Sequence, residues 1–136
     1  MVHILSHTAQ QKQIEIVAGD TDIKDEAAHN SALSVSSEGM ITMDYNKRYL
    51  VLVLEDQFVP GKELGLSLFR DIQMGTTICK DIDFPAYIRR YGRNNVAVLS
   101  VPAWDFIADD WLYSRMVILR GIENGLSMIR TARLED

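Results

Sequence analysis

The stretch Asn95-Val96-Ala97-Val98-Leu99-Ser100-Val101 is almost wholly apolar and β-branched, with helical patterns on both sides of it. A short apolar run in that setting reads as a buried strand, here closed by Pro102. Upstream, Phe84-Pro85 opens a helical segment running to Tyr91-Gly92, and Gln73 to Ile78 is another strand candidate that ends at Cys79. Downstream, a helix is expected from Asp109-Asp110, where two acids suit the positive end of the helix dipole. Leu112, Met116 and Leu119, together with Ile118 and Ile122, give that helix a broad apolar face. Asn124-Gly125 ends it, and Leu126 to Ala132 reads as a last strand. Strands alternating with helices require crossover connections, so the second half predicts a layered α/β architecture.

The first half carries a different pattern. A short helix is expected up to Lys12, then a strand from Ile14 to Ala18 stopped by Gly19-Asp20. Thr21 to His29 is polar and acidic and reads as a loop. Ser31 to Ser36 and Met40 to Tyr45, separated by Ser37-Glu38-Gly39, predict a hairpin. Arg48 to Leu54 is nearly all apolar, which periodicity assigns to a buried strand, and Pro60-Gly61 breaks the chain. No repeat, low-complexity tract or linker divides the 136 residues.

Composition excludes some function classes. With 14 basic and 19 acidic side chains the net charge is −5, and the basic residues are scattered, whereas phosphate binding needs concentrated positive charge. Nucleic acid is therefore not expected as a partner. No apolar run reaches the ~18–20 residues that span a bilayer, and the start lacks the basic flank of a signal peptide. A single cysteine allows no internal disulfide and fits a reducing, cytoplasmic setting.

That cysteine is the main chemical candidate. Cys79 ends a predicted strand within Ile78-Cys79-Lys80-Asp81-Ile82-Asp83-Phe84-Pro85. A sharp strand-to-helix turn presents a side chain and leaves backbone N–H groups facing an oxyanion. A lone cysteine is more often a small core hydrophobe; the charges of Lys80, Asp81 and Asp83 around it argue against that here. Lys80 would favour the thiolate and the two aspartates would oppose it. His3, His7 and His29 all fall in the first quarter of the chain and read as solvated loop residues. Their spacing supports neither a Cys–His pair nor a metal site, so no metal or cofactor is called for. Lys47-Arg48 and Glu55-Asp56 alone would be ordinary surface charge.

Taken together these segments resemble the carbon–nitrogen hydrolase (nitrilase-like) superfamily. Tyr45-Asn46-Lys47-Arg48-Tyr49-Leu50, with Glu55 eight residues beyond Lys47, resembles its lysine motif, and the Cys79 segment its nucleophile motif. Arg120-Gly121-Ile122-Glu123-Asn124 is similar to its Arg-Ala-x-Glu-Asn element, and Asn30-Ser31-Ala32 followed by Glu38-Gly39 to its Asn-containing strand and hairpin. Val101-Pro102-Ala103-Trp104-Asp105-Phe106 and Arg130-Thr131-Ala132-Arg133 look closest to branches related to apolipoprotein N-acyltransferase.

The resemblance implies an α-β-β-α sandwich of mixed sheets with helices on the outer faces. It also implies a Cys79 thiolate that attacks an amide, a nitrile or an acyl ester to form an acyl-enzyme, resolved by water or an amine. Lys47 and the backbone N–H of Lys80 would stabilise the oxyanion, Glu55 would position Lys47 or substrate, and Arg120 and Glu123 would brace the nucleophile loop. It implies a homo-oligomer, and membrane association only where further segments supply it. The family's general-base glutamate lies on an element before the opening helix, and more strands follow Arg133. Residues 1–136 are thus expected to form one partial domain. Glu15, on a strand, is no substitute for that base. The alternative expectation is a truncated, inactive domain serving as an interaction module.

Overall fold

The computed structural model describes residues 1–106 and 110–135. Helix α1 (Val2–Lys12) leads into a three-stranded antiparallel sheet of β1 (Ile16–Lys24), β2 (Ala27–Val35) and β3 (Ile41–Asn46). A four-stranded mixed sheet follows, ordered β4 (Gly65–Phe69), β5 (Ile72–Thr76), β6 (Val98–Phe106) and β7 (Ser127–Glu135). β4 and β5 form an antiparallel hairpin, while β5–β6 and β6–β7 are parallel. Their crossovers are a 3-10 turn (Cys79–Asp83) with α2 (Pro85–Arg93), and α3 (Asp110–Asn124).

Two apolar clusters set the layers. Leu99 and Val101 of β6 meet Tyr87, Ile88 and Tyr91 of α2 and Val117 of α3. Ala32, Met43 and Tyr45 meet Ile78 between the two sheets. In β2 every residue from Ser31 to Val35 is buried, so both faces are covered: Ala32 and Ser34 face the other sheet, and Leu33 and Val35 face the side that α1 occupies. Helix, sheet, sheet, helix is the α/β sandwich expected, and the Ser31–Tyr45 hairpin is present.

Several local expectations are corrected. β1 does not stop at Gly19 but runs to Lys24, where Asp25 and Glu26 (φ 49° and 65°) turn the chain straight into β2. The segment 21–29 is therefore a hairpin rather than a loop, and His29 lies on β2, with His3 and His7 on α1. Arg70 and Asp71 (φ 46° and 65°) make the same two-residue turn between β4 and β5, and β4 itself had no counterpart in the sequence reading.

Arg48–Leu54 is an irregular loop, because side-chain carboxylates capture its donors: Tyr49 N–H goes to Asp81 Oδ1 (2.7 Å) and Val51 N–H to Glu55 Oε2 (2.6 Å). Leu52, Val53 and Leu54 point to solvent. β6 continues through Pro102 to Phe106. Ser100 O is bonded by Thr77 N–H, so by alternation the nitrogen of Pro102 points to the same side, where β5 has already ended. A residue lacking an N–H costs no ladder bond there.

The apolar face expected of α3 is also rotated. Val117, Arg120 and Gly121 are buried, whereas Leu112, Ile118, Leu119 and Ile122 are about half exposed or more. Gly121 sets this geometry, since a Cβ there would stand 2.9 Å from Met128 Cγ on β7. The helix start expected at Asp109 lies outside the described residues.

Candidate active site

A cleft of about 650 Å³ opens between the sheets, and Lys47, Glu55 and Cys79 all line it. β3 delivers Lys47: the strand ends at Asn46, and Lys47 N–H bonds Asn30 O on β2 (2.8 Å). The Lys47 ammonium is 2.7 Å from Glu55 Oε2, with the two side chains 2% and 11% exposed. The other Glu55 oxygen accepts from the Asn30 amide. Burial opposes the charge on Glu55, but the Lys47 and Val51 donors, the ammonium charge and Asn30 together hold its carboxyl below the ordinary glutamate range.

Cys79 sits at the first position of the 3-10 turn with φ 43°, a left-handed conformation that costs an L-residue ~1–2 kcal/mol. The turn is held by Asp81, which is wholly buried. Its Oδ2 accepts from Ile78 N–H (3.0 Å) and from Tyr45 OH (2.7 Å), while Oδ1 accepts from Tyr49 N–H. Tyr87 OH extends the chain, 3.0 Å from Tyr45 OH. Burial pushes the Asp81 carboxyl above the ordinary aspartate range, against the pull of its donors and of Lys47. One carboxylate therefore ties the cysteine turn to the loop that follows Lys47.

The remaining candidates lie around this centre. Lys80 pairs with Asp83 (3.1 Å), which raises its ammonium above the usual range. Arg120, on α3, donates from Nε to Ile82 O in the cysteine turn (2.9 Å) and pairs with Glu123 (2.8 Å). Glu15 is outside the cleft, accepting from Ser34 and Ser67. None of the three histidines lines it; His29 bonds Val59 O through Nδ1 (2.8 Å). Among the described residues no three His, Cys, Asp or Glu side chains stand together to hold a metal ion. No helix among them is long and apolar enough to cross a membrane.

In the sequence Asp81 registers only as crowding charge beside Cys79. An acid three residues beyond Ile78, at the third position of a turn whose N-cap N–H it takes back, is the signal that marks it.

Two facing sheets, flanked by helices and enclosing a cysteine turn and a buried lysine–glutamate pair, define an α/β sandwich with a thiol-bearing cleft. The chain belongs to the carbon–nitrogen hydrolase family, whose pattern it matches over residues 1–135. It is 29% identical over 129 residues to the 2-oxoglutaramate amidase of Bacillus subtilis (strain 168), covering 88% of this chain and 48% of that protein. It is 25% identical over 130 residues to an (R)-stereoselective amidase of Pseudomonas sp, covering 96% and 47%.

Among solved structures, an amidase from Nesterenkonia sp. AN1 carrying acrylamide on its active-site cysteine superposes with TM-score 0.87 at 20% identity, covering 96% of this chain and 53% of that one. A nitrilase-superfamily protein of Saccharomyces cerevisiae reaches 0.91 at 16% identity, covering 99% and 51%. The chain spans about half the length of the relatives it matches.

Proposed function

We propose that the cleft hydrolyses amides through an acyl-enzyme on Cys79. The observation that carries this reading is the meeting of Cys79, at a left-handed turn, with the buried Lys47–Glu55 pair in one cleft. The sulfur bonds to the carbonyl carbon, the C–N bond breaks and the amine leaves with a proton. Water then cleaves the thioester. An ammonium has three hydrogens and Glu55 accepts one, so Lys47 can donate to the substrate oxygen as negative charge builds there, with the backbone N–H of Lys80 as second donor. Glu55 holds Lys47 in place, and Arg120 with Glu123 steadies the turn from α3.

In this reading residues 1–136 make up one part of the domain, and the glutamate that takes the thiol proton comes from a further segment. The relatives named amidases support water as the acyl acceptor. Transfer to an amine, as in the N-acyltransferase-related branch, would use the same acyl-enzyme.

The test is intact-protein mass spectrometry with an activated amide or ester probe. A single acyl adduct mapping to Cys79, and lost in Cys79→Ala, is expected. An adduct on another residue overturns the assignment, and none at all in a chain that also carries the segment with the general base favours a binding module without turnover. Added amine that diverts the acyl group from water would mark the transferase chemistry.

A further inference from the structure

Two acids crowd the nucleophile within its own turn. Asp81 and Asp83 both lie in the segment Cys79–Asp83, and Asp81 is wholly buried. Each opposes negative charge on the sulfur. The adjoining cation, Lys80, is paired with Asp83 at 3.1 Å, and Lys47 in the cleft is paired with Glu55 at 2.7 Å. A thiolate in this place therefore gains most from positive charge brought by another element.

Strand β7 brings such a charge. Along the parallel ladder Arg130 is level with Val101 of β6, one step past the Ser100–Thr76 level at which β5 ends and the chain turns towards Cys79. Met128 faces α3, since a Cβ on Gly121 would stand 2.9 Å from its Cγ, and by alternation Arg130 faces the same layer. Its guanidinium lies 5.9 Å from the ring centroid of Tyr113 on α3, a contact that suits a planar cation.

Arg130 is half-buried and does not line the cleft, so its charge reaches the sulfur from behind the turn and leaves the substrate side clear. Burial draws the guanidinium below its ordinary range, and the charge of Cys79 acts the other way. Lys80 is raised chiefly by Asp83 and to a smaller extent by Cys79. Both cations thus sense the sulfur.

We propose that Arg130 is a positioning residue for the nucleophile: held against Tyr113 behind the cysteine turn, it supplies positive charge that keeps the Cys79 sulfur as a thiolate. This rests on Cys79 being the nucleophile of the reading above, and it adds a residue outside the group of Cys79, Lys47 and Glu55. A guanidinium stays charged throughout the pH range of a folded protein. Half-buried, it is screened by salt less than an exposed charge would be.

The experiment alkylates Cys79 with iodoacetate and with iodoacetamide, reagents of similar size that differ by one negative charge. In both, the thiolate sulfur bonds to the methylene carbon and iodide leaves with the electron pair. The ratio of the two rate constants reads the potential at the sulfur, because accessibility cancels in it. Arg130→Met should lower the iodoacetate-to-iodoacetamide ratio about five-fold at low salt, as expected for one charge removed from a partly screened place. It should also slow iodoacetamide itself, since less of the sulfur is thiolate.

Arg130→Lys keeps the charge and loses the planar contact, and should restore most of the ratio. Where Arg130→Met does not fold, Arg130→Gln, polar and uncharged, makes the same comparison. Equal losses with both reagents, or a ratio that Arg130→Lys fails to restore, overturn the inference. The amide reading is decided separately by the acyl adduct on Cys79 and does not depend on this ratio.

Discussion

Lys47 Nζ and Glu55 Oε2 lie 2.7 Å apart, and neither side chain has substantial contact with solvent. Such a pair is costly to assemble and more costly to break, because removing one partner strands the other charge in a poorly solvated place. Glu55→Gln should therefore lose about 3 kcal/mol of stability by urea unfolding. Adding Lys47→Met should recover at least half of that loss while leaving no acylation of Cys79. A double variant as unstable as the single one would mean that packing, rather than stranded charge, dominates.

The same pair sets a pH dependence. Glu55 has a folded-state pKa below its unfolded value of ~4.3. Its contribution to stability is thus fully present above that value and is lost as pH falls through the lower, folded one. Asp81, raised by burial, works in the opposite sense. The comparison that isolates Glu55 is wild type against Glu55→Gln: their urea midpoints should differ at pH 7 and converge below pH ~4. A constant gap would assign the loss to uncharged contacts.

How much of this was legible in the sequence follows from how local each cause is. The crossovers, the Pro85 helix start and the placement of Cys79 just past a strand were readable because each is written in contiguous residues. The hairpin turns were not. Asp25-Glu26 and Arg70-Asp71 both take positive φ without the Gly or Asn that usually announces it.

Arg48–Leu54 has the composition of a strand, but its N–H groups go to carboxylates at Glu55 and Asp81, and Asp81 is 32 residues from its donor Tyr49. The packed face of α3 depended on Gly121 nearing β7, which a hydrophobicity pattern does not encode. For the site, the lysine and cysteine segments were legible as motifs, whereas the carboxylate joining them was not, since its partners are distant in sequence.

The backbone of Cys79 offers a separate prediction. At φ 43° an L-residue is strained and glycine is not. Cys79→Gly and Cys79→Ala both remove the sulfur, so their difference reports the strain without the lost packing. The glycine variant should be the more stable by about 1 kcal/mol, read as a higher urea midpoint. Neither should form an acyl adduct. An alanine variant at least as stable as the glycine variant would show that the turn relaxes when the sulfur is gone.

Asp81 is the strongest test of how the turn is positioned. It accepts three hydrogen bonds, from Ile78 N–H, Tyr49 N–H and Tyr45 OH, and an asparagine can receive only those that reach its single oxygen. Asp81→Asn sets an amide N–H₂ against a fixed donor, costing about 1–3 kcal/mol for the donor left unsatisfied. A stability loss of that size would follow from any buried carboxylate. The positioning role adds a second effect: Ile78 and Tyr49 flank the cysteine turn and the lysine loop, so the sulfur and the ammonium shift relative to each other. A displacement near 1 Å can cost ~10²-fold in rate. In the folded fraction, acylation of Cys79 by p-nitrophenyl acetate should therefore fall by about that factor, while alkylation by iodoacetamide, which needs no oxyanion donor, should fall far less. Equal losses with both reagents would mean that Asp81 sets only the accessibility of the thiol.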